Sequence, residues 1–209
     1  MDFFVRISYN TAISRHLKKT YNMNPLIIEF KKYGNISSEI EAELSSQIKI
    51  YQKKKGDYFL KQGQVNSSLF VIKKGLVRIY FVKDNKEINS WFSGENEIIG
   101  SILPMYSGKP SIENIQFLED SLIYSISSRE LNVLYRAYPE FNIAGRKMAE
   151  KLCEILEERI ISLHTENAEE RYKSLIKKHP ELLQRVNLGH IASYLGITQE
   201  TLSRIRSRF

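Results

Sequence analysis

The chain has 209 residues and a formal net charge of +7, with 31 lysines and arginines against 24 acids; this balance suits a polyanionic partner without naming one. Its single cysteine, Cys153, excludes an intramolecular disulfide framework and any four-cysteine zinc or iron–sulfur site within one chain. No apolar run approaches the ~18 residues that span a bilayer, and Arg6, Arg15, Lys18 and Lys19 interrupt any signal-peptide core, so a cytoplasmic protein without a membrane partner is expected.

In chain order, residues 1–22 show little organisation and read as an N-terminal extension, either a flexible arm or an upstream start. Two short helices follow at 26–33 and 37–50, the second opened by Ser38 with Glu41 three residues on, the spacing of a capping box. From 51 to 127 the texture changes to short β-type runs between turn residues. Gly56-Asp57 and Gly63-Gln64 bracket Tyr58 to Leu60, and Lys73-Lys74-Gly75 joins the runs at 69–72 and 76–82. Asp84-Asn85 turns the chain into 87–92, and further runs cover 97–99, 113–118 and 122–126. Many short strands at near-regular spacing predict an antiparallel barrel, roll or jelly roll.

After 127 the pattern becomes helical. One helix spans 128–138, ended by Pro139, and a longer one spans about 140–163. Met148, Leu152, Ile155 and Arg159 keep 4-3-4 spacing there, and Leu156, Ile160 and Leu163 widen the stripe. Such a stripe can cover the roll with one side and a partner helix with the other, so Met148, Leu152, Ile155, Leu156 and Arg159 are the expected dimerisation residues. Cys153, among these apolar positions, reads as a buried structural thiol. A further helix at 167–178 stops before Pro180.

The last stretch is the most informative. Leu188, Ile191, Ala192 and Leu195 recur at helical spacing, Gly196 can take the positive φ of a helix stop, and Thr198 stands where the N-cap of a second helix belongs. That helix buries Leu202, Ile205 and Phe209. It presents Gln199, Ser203 and Arg206 on one ridge, Glu200 and Arg204 on the next, and Arg208 beyond. Two helices around a glycine turn at this spacing predict a helix-turn-helix, whose second helix fits the DNA major groove. Arg204 can donate a bidentate pair to guanine, Gln199 can pair with adenine, and Glu200 can accept from a cytosine amino group. An acid beside phosphates is costly unless it reads a base, so Glu200 favours specific readout. The expected DNA-binding set is Thr198, Gln199, Glu200, Ser203, Arg204, Arg206 and Arg208; the alternative is a helical hairpin with a solvated charged face.

A β-roll, a long helix and a C-terminal helix-turn-helix resemble the Crp–Fnr family of bacterial transcription regulators. Gly56-Asp57, Gly75, Gly100 and the run from Ile191 to Arg204 carry the resemblance; Leu118-Glu119-Asp120 and Ala168-Glu169-Glu170-Arg171-Tyr172 look like its Bacteroidetes-type branch. The resemblance covers about 26–209. It implies an α+β chain: an N-terminal extension (1–22), a cyclic-nucleotide-binding-like, jelly-roll-like antiparallel roll (23–138), a long dimerisation helix (139–164) and a helix-turn-helix domain (165–209). It also implies a homodimer on a palindromic double-stranded DNA operator, contact with RNA polymerase, and an effector pocket in the roll.

The pocket departs from the family pattern. Cyclic-nucleotide-binding members hold the ribose with a glycine–glutamate pair and the phosphate with an arginine–serine pair. Here Gly100, Ser101, Ile102, Lys109 and Ser111 occupy that loop, with Ser101 in place of the carboxylate and Pro110 in place of the arginine. Pro110 offers neither charge nor N–H, and Lys109 is a point donor without the bidentate fork. An effector other than cAMP, not identified, or a structural relic is therefore expected, and no cofactor is assigned. His16, His164, His179 and His190 lie outside the roll and read as surface or capping residues, giving haem no support. The competing reading is a cupin-like small-molecule module or enzyme with a helical tail that does not bind DNA. A metal cupin needs a His/Glu cluster on adjacent strands, and residues 51–127 hold no histidine. Without a nucleophile motif, phosphate-cradling loop or paired carboxylates, neither catalysis nor a metal site is expected. A third reading is a membrane-associated sensor acting through the basic 1–22 arm.

Overall fold

The structure, a computed structural model, describes residues 24–208; the expectations for 1–22 and for Phe209 lie outside those residues. The chain opens with α1 (Pro25–Lys31), where Pro25 sits in the first turn, which needs no N–H, and the Asn24 side chain accepts from Leu26 N at 3.0 Å. α2 (Ser38–Gln47) is capped one residue earlier than its sequence suggests. The cap is Ser37, whose hydroxyl accepts from Ile40 N, and Glu41 pairs with Lys31 instead of closing a capping box.

Eight strands follow: β1 (Lys49–Lys53), β2 (Tyr58–Leu60), β3 (Ser68–Lys74), β4 (Val77–Lys83), β5 (Lys86–Ser93), β6 (Ile98–Gly100), β7 (Asn114–Phe117) and β8 (Ser121–Ser127). They form two antiparallel sheets, ordered β1-β8-β3-β6 and β2-β7-β4-β5. Residue alternation on β3 shows why the roll closes: Phe70 and Ile72 join Leu60, Val77, Ile115, Phe117 and Ile123 in the core between the sheets, whereas Leu69 and Val71 meet the helices outside. Gly75 holds the β3–β4 turn at φ +118°, and a Cβ there would stand 2.0 Å from Ser121 Oγ.

Helix α3 (Ser128–Ala137) starts in a complete Ser127/Glu130 capping box, and α4 (Phe141–Thr165) is the long helix. Phe141 and Ala144 at its start are buried against α1, with Phe141 edge-on to Phe30 at 5.2 Å, while most of its later length leaves the roll. α5 (Ala168–Lys178) begins at the Asn167 cap. The link that follows makes only the four-residue helix α6 (Leu182–Arg185), and no strand lies beyond Ser127 among the described residues. α7 (Leu188–Leu195) and α8 (Gln199–Arg206) finish the described chain. Their core is shared with the roll: Leu76 and Phe92 pack in one cluster with Tyr172, Leu182, Ile191, Leu195 and Leu202.

Candidate nucleic-acid interface

The α7–α8 pair is built as its sequence predicts. Asn187 caps α7 by accepting from His190 N at 2.8 Å. Gly196 takes φ +69°, and Ile197 N closes on Ala192 O at 3.0 Å, the six-to-one bond of a Schellman ending. Thr198 then caps α8 by accepting from Thr201 N at 3.2 Å. Leu202 and Ile205 are buried under α8, and Thr198, Gln199, Glu200, Ser203, Arg204, Arg206 and Arg208 are all exposed. Arg204 Nη2 rests on Thr201 Oγ1 at 3.2 Å, which holds the guanidinium near the helix surface. Bonds from its own N–H and the Thr198 hydroxyl, with the nearby Arg204 charge, lower the Glu200 pKa, so this acid stays an acceptor. Arg208 leaves the common ridge, reaching Glu169 at 3.6 Å.

Two arginines hold the carbonyl end of α7, a role the sequence did not reveal. Arg171 donates from Nε and Nη2 to Leu195 O at 3.0 and 2.9 Å, and Arg159 donates from Nη2 to Tyr194 O while stacking 3.8 Å above the Tyr194 ring. Cations at a helix C-terminus satisfy orphan carbonyls and complement the dipole. Arg159, expected on the dimerisation stripe, is thus engaged with α7 of its own chain. Met148 likewise packs against the helical cluster on the roll. Leu152 and Leu156 remain exposed and Ile155 partly so, continued by exposed Ile160 and Leu163; Cys153 is exposed on the same helix, against the expectation of a buried thiol.

The helix-turn-helix is fastened to the roll at two polar points. Arg185 on α6 reaches both oxygens of Glu95 at 2.9 Å, both of Glu119 at 2.9 and 2.7 Å, and Gly75 O at 3.1 Å. The Arg185 contact is the main cause holding the Glu95 carboxyl down at about 2, with a bond from Gly75 N assisting against burial. The second point is Arg78 on β4, itself 5% exposed. It bonds Gln116 Oε1 and Glu87 Oε2, stacks on Tyr80, and donates from Nη1 to His190 Nδ1 at 3.1 Å. His190 is therefore no free surface residue. Burial and the Arg78 charge push its pKa down, against the opposing pull of Glu87. Next to it, Ser193 Oγ accepts from Asn89 N at 2.9 Å and donates to Glu87 O at 3.1 Å. The Leu118-Glu119-Asp120 run and Arg171 carried the only advance signal for these fasteners; nothing local marked Arg78, Glu95 or Arg185.

The expected effector residues divide. Ser101 and Ser111, each 2% exposed, come together at 3.3 Å around Glu113, with Ser101 Oγ donating to Glu113 Oε1 at 2.9 Å and Glu113 N donating to Ser111 Oγ at 3.1 Å. Burial raises the Glu113 pKa against the Ser101 bond. Gly100 is pressed close to Met105, leaving 2.6 Å between its would-be Cβ and the sulfur. Ile102 and Lys109 turn outward and do not join this group. Glu113 was missed because a carboxylate inside a strand run reads as an outward residue.

Residues 52–138 match the family of the cyclic nucleotide-binding domain. Electron transport regulator A of Shewanella oneidensis is 25% identical over 203 residues, covering 90% of this chain and 78% of that protein. The fumarate and nitrate reduction regulatory protein of Vibrio cholerae is 27% identical over 186 residues, with 81% and 73% covered. Among solved structures, a CooA mutant from Carboxydothermus hydrogenoformans superposes with a TM-score of 0.64 at 20% identity, covering 83% of this chain and 80% of that one. The catabolite activator protein of Thermus thermophilus gives 0.54 at 18%, covering 88% and 86%. The structural likeness carries the fold: residues 52–138 match the cyclic nucleotide-binding domain, and over most of its length the chain is similar to proteins named as regulators.

Proposed function

We propose that the chain is a homodimeric regulator that reads an inverted-repeat operator through α8, pairs through α4 and acts through RNA polymerase, with 23–138 as the effector roll, 139–164 as the dimer helix and 165–209 as the DNA-binding domain. The observation that carries the DNA reading is the exposed face of α8, where Gln199, Glu200, Ser203, Arg204 and Arg206 stand over a buried Leu202 and Ile205. Thr201 steadies Arg204 for a bidentate contact. Pairing along Leu152, Leu156 and Ile160 would cover side chains that now face solvent and set two recognition helices about 34 Å apart, one turn of DNA.

The roll of this reading does not take cAMP. Glu113 and two serine hydroxyls fill the ground between the Gly100 and Ser111 ends of the loop, and Lys109 faces outward. The half-buried Glu113 carboxylate repels a phosphodiester, and Pro110 stands where the family's nucleotide binders offer an arginine. Selection of duplexes from a random pool by the purified chain, without added ligand, tests the DNA reading. Wild-type protein should recover an inverted repeat, and Arg204→Ala should cost about 1–3 kcal/mol and relax one base pair per half-site. Uniform weakening over all sequences would make Arg204 a phosphate contact instead.

A further inference from the structure

The β4–β5 hairpin of the roll ends in a two-residue turn, Asp84-Asn85, with φ of 51° and 59°. Positive φ at both positions is the primed turn that matches strand twist, so this tip is a defined structure. It sets Lys83 directly across the ladder from Lys86. Like charges at facing positions destabilise a hairpin unless an anion lies between or beyond them. None does here: both lysines are exposed and neither makes an ion pair among the described residues, while the Glu87 carboxylate is spent on Arg78. Asp84 offsets one of the two charges and leaves the tip net positive.

The position of this tip supplies the second argument. The hairpin lies along α7, with the Glu87 carbonyl and Asn89 amide on Ser193 and Arg78 reaching His190. Lys86 adjoins Glu87, so its backbone stands within one residue of that contact. The neighbour of His190, Gly189, faces the recognition helix: a Cβ on it would lie 3.6 Å from Gln199 Oε1. In a helix-turn-helix the first helix crosses the sugar–phosphate backbone while the second enters the groove. A hairpin fixed along that first helix carries its tip toward the same phosphates, on a domain whose own link makes a short helix and no wing.

We propose that the β4–β5 tip is a second DNA-contacting element, with Lys83 and Lys86 each meeting a backbone phosphate beside the site of α8. The inference rests on the DNA-binding reading above and extends it from one domain to both. It assigns the tip to affinity without sequence choice, because phosphate contacts fix register and carry no base information.

The test uses the full chain and a duplex recovered by selection, with anisotropy titrations over a range of salt. Lys83→Ala/Lys86→Ala should weaken binding roughly tenfold, equally on selected and scrambled duplexes, and flatten the slope of log affinity against log salt by about 1.8, two contacts' worth. Lys83→Arg/Lys86→Arg should keep both affinity and slope, which separates lost charge from a damaged turn. Lys61→Ala, on the turn before β3, should change nothing. An unchanged slope in the double alanine variant overturns the proposal and leaves the lysines as guards of an edge strand; tighter binding overturns it the other way, making the tip an obstruction. Failure of the wild-type chain to bind any duplex overturns the DNA reading itself, and with it this extension.

Discussion

Arg185→Ala removes the cation on which Glu95 and Glu119 converge, and its cost follows from the geometry. The fall of the Glu95 pKa from 4.5 to about 2 corresponds to roughly 3 kcal/mol of preference for the ionised form in the folded chain, at about 1.4 kcal/mol per unit. The Glu95 side chain is 34% exposed, so solvent screening reduces that to roughly 1–2 kcal/mol. Adding the stranded Glu119 and Gly75 carbonyl brings the expected loss for Arg185→Ala to about 2–3 kcal/mol. The direction with pH is fixed by the depressed folded-state value: the stabilisation is complete above 4.5 and disappears as pH falls through about 2. Urea unfolding of wild type and Arg185→Ala at pH 7, 5 and 3 should show a constant gap at the two higher values and a smaller one at pH 3. Amide exchange at pH 7 should quicken in α7 and β5 in the variant and stay unchanged in β8. A gap below about 0.5 kcal/mol at pH 7, with α7 still protected, would show that the apolar cluster alone holds the two parts together and that the clamp is incidental.

Glu113 runs in the opposite sense. Its folded-state pKa is raised by burial, so the ionised form costs stability at neutral pH and wild type gains as pH falls through the raised value. Glu113→Gln should melt higher than wild type at pH 7 and lose that lead on acidification; a lower melting temperature at pH 7 would mean the Ser101 bond outweighs desolvation. Added cAMP should leave the melting temperature of the wild type unmoved, and a rise saturating with cAMP concentration would refute the reading of the pocket. Wild type should sediment as a dimer and Leu152→Lys/Leu156→Lys as a folded monomer, with binding to an inverted repeat weakened at least tenfold. A variant that stays dimeric would place the contact elsewhere.

Much of this could be read in advance, and the reasons differ by element. The helix-turn-helix was legible because its signals are local: apolar spacing of three and four, a glycine stop and a threonine cap all act within a few residues. The strands were legible from short β-branched and aromatic runs between glycine and Asx turns. The start of α2 slipped by one residue because Ser37 and Ser38 stand in tandem and either could cap. Cys153 was misread, and the bond of Arg159 to α7 unforeseen, because spacing places residues on a face without saying what that face meets; α4 outruns the roll after Met148, so positions on its apolar stripe become open or turn to the α7 terminus. The fasteners Arg78, Glu95 and Arg185 were invisible for a related reason. Each pair is separated by many residues, and an ion pair closed by the fold leaves no periodic trace.

Leu76 and Phe92 sit in the same apolar cluster as Ile191, Leu195 and Leu202. The α7–α8 unit therefore has no boundary of its own at that wall, since two residues of the roll serve as its floor. A fragment cut out from residue 165 onward would keep every exposed side chain of α8 and lose that floor, so it should behave as a sticky, poorly ordered peptide and not as a minimal binder. For the intact chain the same feature means that heat or denaturant cannot melt the reading head and leave the roll's near sheet untouched. Whatever disturbs β4 and β5 is felt at once beneath α7 and α8.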